Sequence, residues 1–418
     1  MQRPSGLRVA LAVEGTRGDV HPLLALGESL RAAGHHPILC GPLDAAPAAA
    51  LRGLAFRPVG LDVRAYLTRH ASLMQSSAAR VSRWADRHFR EQLPRHFRDL
   101  LAATEDADLL VSTGTLLAAP SIAEARGLPY RFVLYCPALL ASAEHAPASL
   151  PLGGLPRAAN RLLWRALRAL LGARLSGPLA RERARLGLPP VRDVYRHLLG
   201  DAPVLAADAA LAPCPPEWSA LLQIPALDPF REGPLPEKLE AFLRAGEAPV
   251  YVGFGSATDP DARATSELLL GAAADAGVRL VLSRGWAGLG DLALPEQALS
   301  IGDVPHASLF PRVAAVVHHG GAGTTTSAAR AGVPQIVVPH LLDQFYWGER
   351  VHRLGLGPAP IPRRRLTRAG LALALLSLRD NEWLASRAAR LGESLRDALR
   401  RQEPPAAAVL RGLAPEAA

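Results

Sequence analysis

The chain has 418 residues, of which 49% are hydrophobic and 20% charged, so it can bury the cores of about two or three domains. Its 47 basic residues comprise 46 arginines and one lysine, Lys238, which stands in a proline-rich stretch without a glycine loop; this excludes a phosphate-binding P-loop and the Schiff-base and Ser-x-x-Lys chemistries of lysine. The formal net charge of +9 leaves acidic partners open, whether a nucleotide diphosphate, nucleic acid or an anionic membrane surface.

The first part of the chain alternates between apolar runs of strand length and helical patterns. A strand at 7–13 is followed by the turn GTRGDVHP (15–22) and by a helix that we expect to begin at Pro22, because proline suits the first turn of a helix, and to end near Gly34. The next predicted elements are strands at 36–42, 107–113 and 130–136 and a helix at 121–127. This order predicts a parallel sheet with helices on both faces.

Residues 160–187 carry leucines at helical spacing with arginines on the opposite side. The leucines of this stripe are Leu162, Leu163, Leu167, Leu170, Leu171 and Leu175. One interpretation is a face for a membrane surface or a lipophilic acceptor, and the favoured one is an ordinary amphipathic helix with a solvated basic side. We therefore expect no nucleic-acid partner and at most a weak peripheral contact with a membrane.

The second half repeats the strand–helix pattern after a proline-rich stretch at 203–249, which ends in a short helix and which we interpret as the connection between domains. The predicted elements that follow are strands at 248–256, 278–283, 298–304, 314–321 and 335–339, helices at 265–276 and 324–332, and a last amphipathic helix at 382–402.

These elements predict an α/β protein whose two Rossmann-like domains face each other across a cleft at the carboxyl ends of their strands. We expect an N-terminal domain at 1–210, a linker at 211–248 and a C-terminal domain at 249–381. Residues 382–418 are expected to form a helix and tail that pack back on the N-terminal domain.

The strongest local signal is a run of small residues that leads from a strand into a helix near residue 320. Its candidate ligand-binding residues are His319, Gly320, Gly321, Gly323 and Thr324. The glycines let backbone N–H groups come close to a ligand, and the helix N-terminus carries unpaired donors and a partial positive charge. This predicts a diphosphate site without lysine or metal, to which Ser256, at the end of another strand, would add a second donor.

Motifs in both halves resemble family 1 glycosyltransferases of the GT-B fold. The stretches HHGGAGTT (318–325) and RAGVPQIVVP (330–339), followed by Asp343 and Gln344, are similar to the donor-binding signature of that family. The turn GTRGDVHP is similar to a motif of the branch that glycosylates sterols and antibiotic aglycones of the macrolide and glycopeptide kinds. The resemblance implies an acceptor-binding N-terminal domain, a nucleotide-sugar-binding C-terminal domain and no bound cofactor.

The resemblance also assigns donor contacts residue by residue. His319 matches the histidine that contacts the donor diphosphate, and Thr324 falls where the family keeps a hydroxyl or a small residue at the helix start. Asp343 and Gln344 match the pair that holds hydroxyls of the donor sugar, as a carboxylate and an amide can. Asp343 is also a candidate N-cap for the helix that follows.

The nucleobase site departs from the family pattern. Many relatives place a tryptophan on the base, and this chain has Val304 in the corresponding loop, where backbone hydrogen bonds and apolar contact could hold the base. Trp286 is the nearest aromatic residue, and packing at a strand end is its alternative role. UDP-sugars and dTDP-sugars are therefore both candidate co-substrates.

Asp19 occupies the position at which the resemblance places the general base of this branch. Such a base takes a proton from the acceptor hydroxyl while the sugar leaves its diphosphate. An aspartate with a reference pKa of about 3.9 is a weak base unless the cleft raises that pKa. His21 has a reference pKa better suited to the task and is the rival base, and Asp19 could instead serve as a helix N-cap.

The resulting hypothesis is an inverting, metal-independent glycosyltransferase that moves a sugar from a UDP- or dTDP-sugar to a hydroxyl of a lipophilic small molecule, such as a polyketide aglycone or a sterol. The alternatives are a nucleotide-sugar-binding accessory protein without transfer activity and a nucleotide-sugar epimerase. No metal site is expected, because the D-x-D pairs at 106–108 and 259–261 do not end strands.

The acceptor is expected to bind in the region 60–200 of the N-terminal domain, where the resemblance is thinnest. Candidate contacts there are Trp84, Phe89, Leu139 and Leu140, each of which could equally belong to the core.

The cysteines and the hydropathy bear on location. Cys40, Cys136 and Cys214 form no C-x-x-C pair and fit a reducing compartment. Because no apolar run approaches the roughly 18 residues of a transmembrane helix, we expect a cytoplasmic protein. The sequence does not indicate an oligomeric state.

Overall fold

The computed structural model describes residues 6–74, 78–227, 232–379 and 381–413. The strands of this part of the chain are β1 (Arg8–Glu14), β2 (His36–Gly41), β3 (Ala55–Pro58), β4 (Leu109–Gly114), β5 (Tyr130–Leu134), β6 (Val204–Ala206), β7 (Leu222–Ile224), β8 (Val250–Gly253), β9 (Leu280–Ser283), β10 (Ala298–Ile301), β11 (Ala315–His318) and β12 (Gln335–Val337).

The α-helices that accompany these strands are α1 (Arg17–Ala32), α2 (Ala46–Leu51), α3 (Val63–Arg69), α4 (Ala71–Met74), α5 (Ala78–Ala103), α6 (Ala119–Arg126), α7 (Arg157–Arg185), α8 (Val194–Leu199), α9 (Glu237–Arg244), α10 (Ala262–Ala276), α11 (His306–Leu309), α12 (Ala322–Ala331), α13 (Gln344–Arg353), α14 (Arg368–Arg379), α15 (Glu382–Arg400) and α16 (Pro405–Leu410). Single 3₁₀ turns lie at Leu43–Ala45, Pro137–Leu139, Pro216–Trp218, Phe310–Arg312 and Arg363–Arg365.

The N-terminal domain is built on a parallel sheet of seven strands in the order β3-β2-β1-β4-β5-β6-β7. β1 lies inside the sheet, with Leu11 opposite Leu39 of β2 and Val111 of β4. Its continuous apolar run suits a strand that helices cover on both faces. The strand order reverses between β1 and β4, which opens a crevice at the carboxyl ends of these two strands.

The C-terminal domain repeats this arrangement with five parallel strands in the order β10-β9-β8-β11-β12. Its order reverses between β8 and β11, where Gly253 pairs with His318. The predicted fold class, two Rossmann-like α/β domains, is confirmed by these two sheets.

The N-terminus of α1 differs from the prediction. The helix begins at Arg17 and contains Pro22 in its interior, so the predicted start at Pro22 was wrong. The physical reason is a capping box: the Thr16 side chain accepts from the Gly18 N–H, and the Asp19 carboxylate accepts from the Thr16 N–H over 2.9 Å. These two hydrogen bonds satisfy backbone N–H groups at the start of the helix, so the helix begins before Pro22.

Parts of the predicted linker at 211–248 belong to the domains on either side of it. β7 pairs with β6 as a seventh strand of the N-terminal sheet, with Ala206 opposite Ile224. Leu239 and Leu243 of α9 pack in the C-terminal core. The sequence gives little indication of these two elements, because a three-residue strand and a short helix between prolines leave little periodic signal.

The C-terminal segment returns to the N-terminal domain as expected. α15 packs on α12, and α16 makes the return contact on α1, where the Ala406 N–H donates to Ser29 Oγ over 3.1 Å. The Arg131 guanidinium donates to the carbonyl oxygens of Val409 and Arg411 at 3.1 and 2.6 Å.

A buried ion pair also joins the two domains. Asp208, just after β6, accepts two hydrogen bonds from Arg330 of α12, both of 3.0 Å. Only 6% and 7% of the two side chains are exposed, and Arg330 donates further to the Ala226 carbonyl. The fork geometry compensates for the cost of burying both charges, so the pair orients α12 against the N-terminal domain.

Removal of this pair's carboxylate is expected to destabilise the protein strongly. Asp208→Ala leaves the Arg330 charge buried and should lower the free energy of unfolding in urea by about 3–5 kcal/mol. The matched control is Glu267→Ala, which removes the exposed partner of Arg263 and should cost less than about 1 kcal/mol. Equal losses in the two variants would contradict the structural role of Asp208.

Candidate active site

The segments that follow β1 and β5 in one domain and β8, β11 and β12 in the other line a single cavity of about 520 Å³. It lies where parallel α/β sheets bind ligands, at the carboxyl ends of the strands. Ten of the residues predicted from the sequence line it: Asp19, His21, Ser256, Val304, His319, Gly321, Gly323, Thr324, Asp343 and Gln344.

Two predicted residues lie outside the cavity lining. Gly320 has a φ of +89°, and a Cβ there would come within 2.8 Å of the Gln344 carbonyl oxygen, so this glycine allows β11 and α13 to approach closely. Trp286 is half-buried, and the Arg64 guanidinium lies 6.0 Å from its ring centroid. The structure does not bring Trp286 to the cavity wall.

The candidate acceptor contacts also lie away from this cavity lining. Leu140 is fully buried in the core. Trp84 stacks between Tyr66 and His88, with ring centroids 5.6 and 5.5 Å away. Phe89 is half-buried, and Leu139 is 39% exposed. Sequence reasoning missed Leu67 and Tyr135, which do line the cavity.

The diphosphate cradle is built by the turn from β11 into α12. Gly321 occupies the N-cap position and supplies no side chain to cap the helix. The amides of the first turn, at Ala322, Gly323 and Thr324, therefore face the cavity, together with the positive end of the helix dipole. A bound phosphate group would satisfy these donors.

The two histidines at the end of β11 have different environments. The His318 ring is fully buried between the Gly320 N–H, which donates to Nδ1 over 3.1 Å, and Gln335, whose Oε1 lies 2.8 Å from Nε2. The His319 ring lies against Gly255 and Gly321, where added Cβ atoms would come within 2.9 and 2.5 Å of the imidazole. Burial lowers the pKa of His319 well below its usual range. This favours the neutral form of His319, so the predicted contact with the diphosphate would come from a ring N–H.

Asp343 and Gln344 follow a strained residue at the C-terminal wall of the cavity. Leu342 adopts a φ of 50°, which costs an ordinary residue about 1–3 kcal/mol and is typical of ligand sites. The Gln344 Oε1 accepts from the N–H groups of His340 and Leu341 at 2.7 and 2.9 Å, which turns its amide NH₂ into the group available to a ligand. The Asp343 carboxylate accepts from Trp347 Nε1 instead of capping α13.

In the folded protein the pKa of Asp19 is higher than the pKa of His21, which reverses the ordinary order of the two groups. Burial, reinforced by the charges of Asp343 and Glu14, raises the pKa of Asp19 to about 7. Burial, reinforced by Arg17 and Arg52, lowers the pKa of His21 to about 4. Thr16 holds Asp19 Oδ2, so the other carboxylate oxygen is the one that can take a proton. The fold thus makes Asp19 the stronger base of the two.

Glu14 is a site feature that sequence reasoning missed. It ends β1 and is buried, with Oε1 lying 3.0 Å from His96 Nε2 and 3.6 Å from His88 Nε2. Burial alone would raise its pKa, but the two histidines outweigh that effect and lower the pKa to about 2. Its negative charge therefore persists beside Asp19. The sequence signal that could have indicated Glu14 is an acidic residue directly after an apolar run of strand length.

The nucleobase loop contacts the other domain directly. Arg17 of α1 donates to Asp303 over 2.7 Å, and Val304 follows in the cavity wall. The Asp303 side chain is 68% exposed, so this pair contributes little stability by itself. It does place the N-terminus of α1 against the loop expected to hold the base.

The D-x-D carboxylates are engaged in structural contacts. Asp106 pairs with Arg57 and Arg8, while Asp259 accepts from Arg363 and Thr265. Within the described ranges, no group of three or more histidine, cysteine or acidic side chains is arranged to hold a metal ion.

Two Rossmann-like domains that face each other across a cleft, with a glycine-rich helix start on one wall and a buried carboxylate on the other, form an architecture of the GT-B kind. Residues 9–143 match the family described as "Glycosyltransferase family 28 N-terminal domain", and residues 267–406 match "Erythromycin biosynthesis protein CIII-like, C-terminal domain". The chain is 40% identical over 381 residues to Glycosyltransferase GtfE of Amycolatopsis orientalis, covering 88% of this chain and 90% of the relative. It therefore belongs to this glycosyltransferase family and is an enzyme.

A second relative agrees with this membership, and a solved structure shares the fold. The vancomycin aglycone glucosyltransferase of Amycolatopsis orientalis is 39% identical over 393 residues, with 88% of this chain and 90% of the relative covered. The crystal structure of glycosyltransferase VinC in complex with dTDP superposes with a TM-score of 0.70 at 23% identity, over 97% of this chain and 100% of VinC. The GT-B fold that the sequence predicts is confirmed by this likeness.

None of the helices in the described residues has the length and apolar character needed to cross a bilayer.

The role of His319 can be tested by nucleotide binding. His319→Ala removes a neutral donor from the cradle and should weaken the binding of UDP or dTDP by about 10- to 100-fold, the loss of one hydrogen bond to a charged group. Isothermal titration calorimetry measures the affinity. His21→Ala, on the opposite wall, is the control and should bind as the wild type does; unchanged affinity in His319→Ala would refute the assignment.

Proposed function

We propose that the protein is an inverting glycosyltransferase that moves a sugar from a UDP- or dTDP-sugar to a hydroxyl of a lipophilic small molecule. The observation that carries this proposal is the meeting of Asp19, the helix start at Gly321 and the Asp343–Gln344 pair in one cavity. A base, a leaving-group cradle and a sugar clamp are the three parts that the reaction needs.

The donor would lie along the C-terminal wall. Its diphosphate would accept hydrogen bonds from the amides at the start of α12, from His319 and from Ser256, all of which line the cavity. Its sugar hydroxyls would bond to the Asp343 carboxylate and the free amide of Gln344. Its base would rest against Val304.

These residues account for the proton and for the leaving group in the transfer step. The acceptor oxygen attacks the anomeric carbon as Asp19 takes the hydroxyl proton, and the bond from that carbon to the diphosphate oxygen breaks. The electron pair passes to the diphosphate, where the helix N-terminus and His319 stabilise the added charge without a metal. A single displacement from the face opposite the leaving group inverts the anomeric carbon.

The acceptor would enter from the N-terminal domain. Pro22, Leu67 and Tyr135 give that wall of the cavity an apolar character suited to a lipophilic ring system. The relative at 39% identity acts on the vancomycin aglycone, which supports a natural-product aglycone of the glycopeptide or polyketide kind, with sterols as the further class. The free thiols of Cys40, Cys136 and Cys214 support a reducing, cytoplasmic location.

A donor and acceptor panel tests the function. Purified protein is incubated with labelled UDP- and dTDP-sugars and a set of aglycones and sterols, and products are identified by mass spectrometry and anomeric NMR. We expect transfer with inversion, and its loss by at least about 100-fold in Asp19→Asn, since general bases contribute roughly 10²–10⁴-fold.

Three outcomes of the same assay would contradict parts of this proposal. Preserved transfer in Asp19→Asn with loss in His21→Ala would give the base role to His21. Altered sugar without any acceptor would indicate an epimerase, and binding without turnover across the panel would indicate an accessory protein. Nucleotide affinity should stay unchanged in Asp19→Asn, which separates loss of the base from loss of the fold.

The pH dependence of transfer should report the Asp19 carboxyl. Because the base acts when ionised, kcat/KM is expected to fall as the pH drops through about 7, the pKa to which burial raises this group. Asp343→Asn removes a neighbouring negative charge, lowers the pKa of Asp19 and should move the acid limb to lower pH. The control is Asp201→Asn on an exposed loop, and an unmoved limb in Asp343→Asn would contradict the coupling.

A further inference from the structure

The helix α7 has an outer face that the active site leaves unexplained. Its inner side packs on α5 and α8, where Trp164 and Leu175 are buried and Leu171 is half-buried. Leu162 and Leu170, which the sequence places in the same leucine stripe, are instead 66% and 43% exposed. The stripe therefore divides into a core side and a solvent side.

The solvent side carries a second apolar stripe. Its members are all exposed and lie at spacings of three or four residues: Ala158, Leu162, Ala166, Ala169, Leu170 and Ala173. A water-facing helix usually has polar residues at such positions. Here the first half of α7 places only small and apolar side chains there.

A row of arginines borders this apolar stripe. Arg157, Arg161, Arg165 and Arg168 follow one another at helical spacing and are exposed. The whole helix contains eight arginines and one acidic residue, Glu182, which is buried. By contrast, the exposed face of α15 mixes arginines with acidic residues, so the arginine content of the chain does not by itself explain α7.

The arginines also converge on a cavity of about 350 Å³ between α7 and the segment before α8. Arg165, Arg168 and Arg192 line it, and Asp193 at its edge is paired with Arg168 and caps α8. Arg165 and Arg192 form no ion pair within the described ranges. An anionic group of phosphate size would find two unpaired guanidinium groups there.

We propose that the outer face of α7 docks on an anionic phospholipid surface. The cavity takes a headgroup phosphate, and Leu162 and Leu170 enter the boundary between headgroups and acyl chains. An apolar stripe flanked by cationic side chains is the pattern of helices that lie in a membrane interface. The proposal does not rest on the transferase activity, although it would bring the enzyme to a lipophilic acceptor.

The apolar stripe favours lipid over nucleic acid. A helix that binds a duplex presents cationic and polar side chains across its contact face, because the phosphates and base edges it meets are polar. Exposed leucines and alanines in the middle of the face gain nothing from such contacts. In a bilayer interface they lose water-exposed apolar area, which is favourable.

Vesicle flotation with the purified full chain tests the proposal. The protein should float with vesicles of phosphatidylcholine and phosphatidylglycerol but not with phosphatidylcholine alone. Binding should fall between about 0.1 M and about 1 M salt, as the Debye length shrinks from ~10 Å to ~3 Å. Arg161→Gln with Arg165→Gln should weaken vesicle binding by about 25-fold, at about fivefold for each cationic charge. Leu162→Ser with Leu170→Ser should also weaken it.

The matched control is Arg390→Gln with Arg401→Gln, which removes the same charge from exposed positions in and just after α15. This control should float as the wild type does, and all variants should keep wild-type nucleotide affinity. Equal flotation with neutral and anionic vesicles, or unchanged flotation of the α7 variants, would overturn the proposal. So would tighter binding to duplex DNA than to vesicles, or calorimetric capture of inorganic phosphate without flotation.

Discussion

One of the contacts between the two domains is a buried charge pair on the helix that forms the predicted diphosphate cradle. Arg330 belongs to α12, whose first turn forms the diphosphate cradle, and its partner Asp208 follows β6 of the opposite sheet. A buried guanidinium tolerates little displacement once both of its bonds are made, because each lost bond leaves a charge uncompensated. The pair therefore orients α12, and with it the predicted cradle, against the N-terminal domain.

At the cavity and just behind it, three carboxyl groups have different pKa values because their surroundings differ. Glu14 stays ionised because His88 and His96 contact it, whereas Asp19 and Asp343 have raised pKa values because burial is not offset by cations. The neutral His319 and the N-terminus of α12 can instead donate hydrogen bonds to an anion. The proposed base thus lies in one domain and the proposed diphosphate cradle in the other.

The order of strands and helices and the residues of the donor signature could be predicted from local patterns. The apolar run of β1 and the glycine run at 320–323 are signals carried by consecutive residues. Predictions failed where a nearby capping signal was overlooked, or where the element was very short and depended on a partner elsewhere in the chain. Pro22 was a misleading start signal because Thr16 and Asp19 cap the helix first, and β7 was hidden because only its pairing with β6 makes it a strand.

The sequence by itself determined the two-domain α/β class, the family and ten of the residues that line the cavity, because turn glycines and strand-end motifs act through local backbone geometry. Tertiary structure decided which of these groups can act as the base. A pKa depends on burial and on charges from distant segments, so the ordinary order of Asp19 and His21 was reversed only when β1, α1 and α13 came together. The tertiary structure also decided which leucines of α7 face the core and which face solvent. Helical spacing shows that residues share a face, but it does not show what that face packs against.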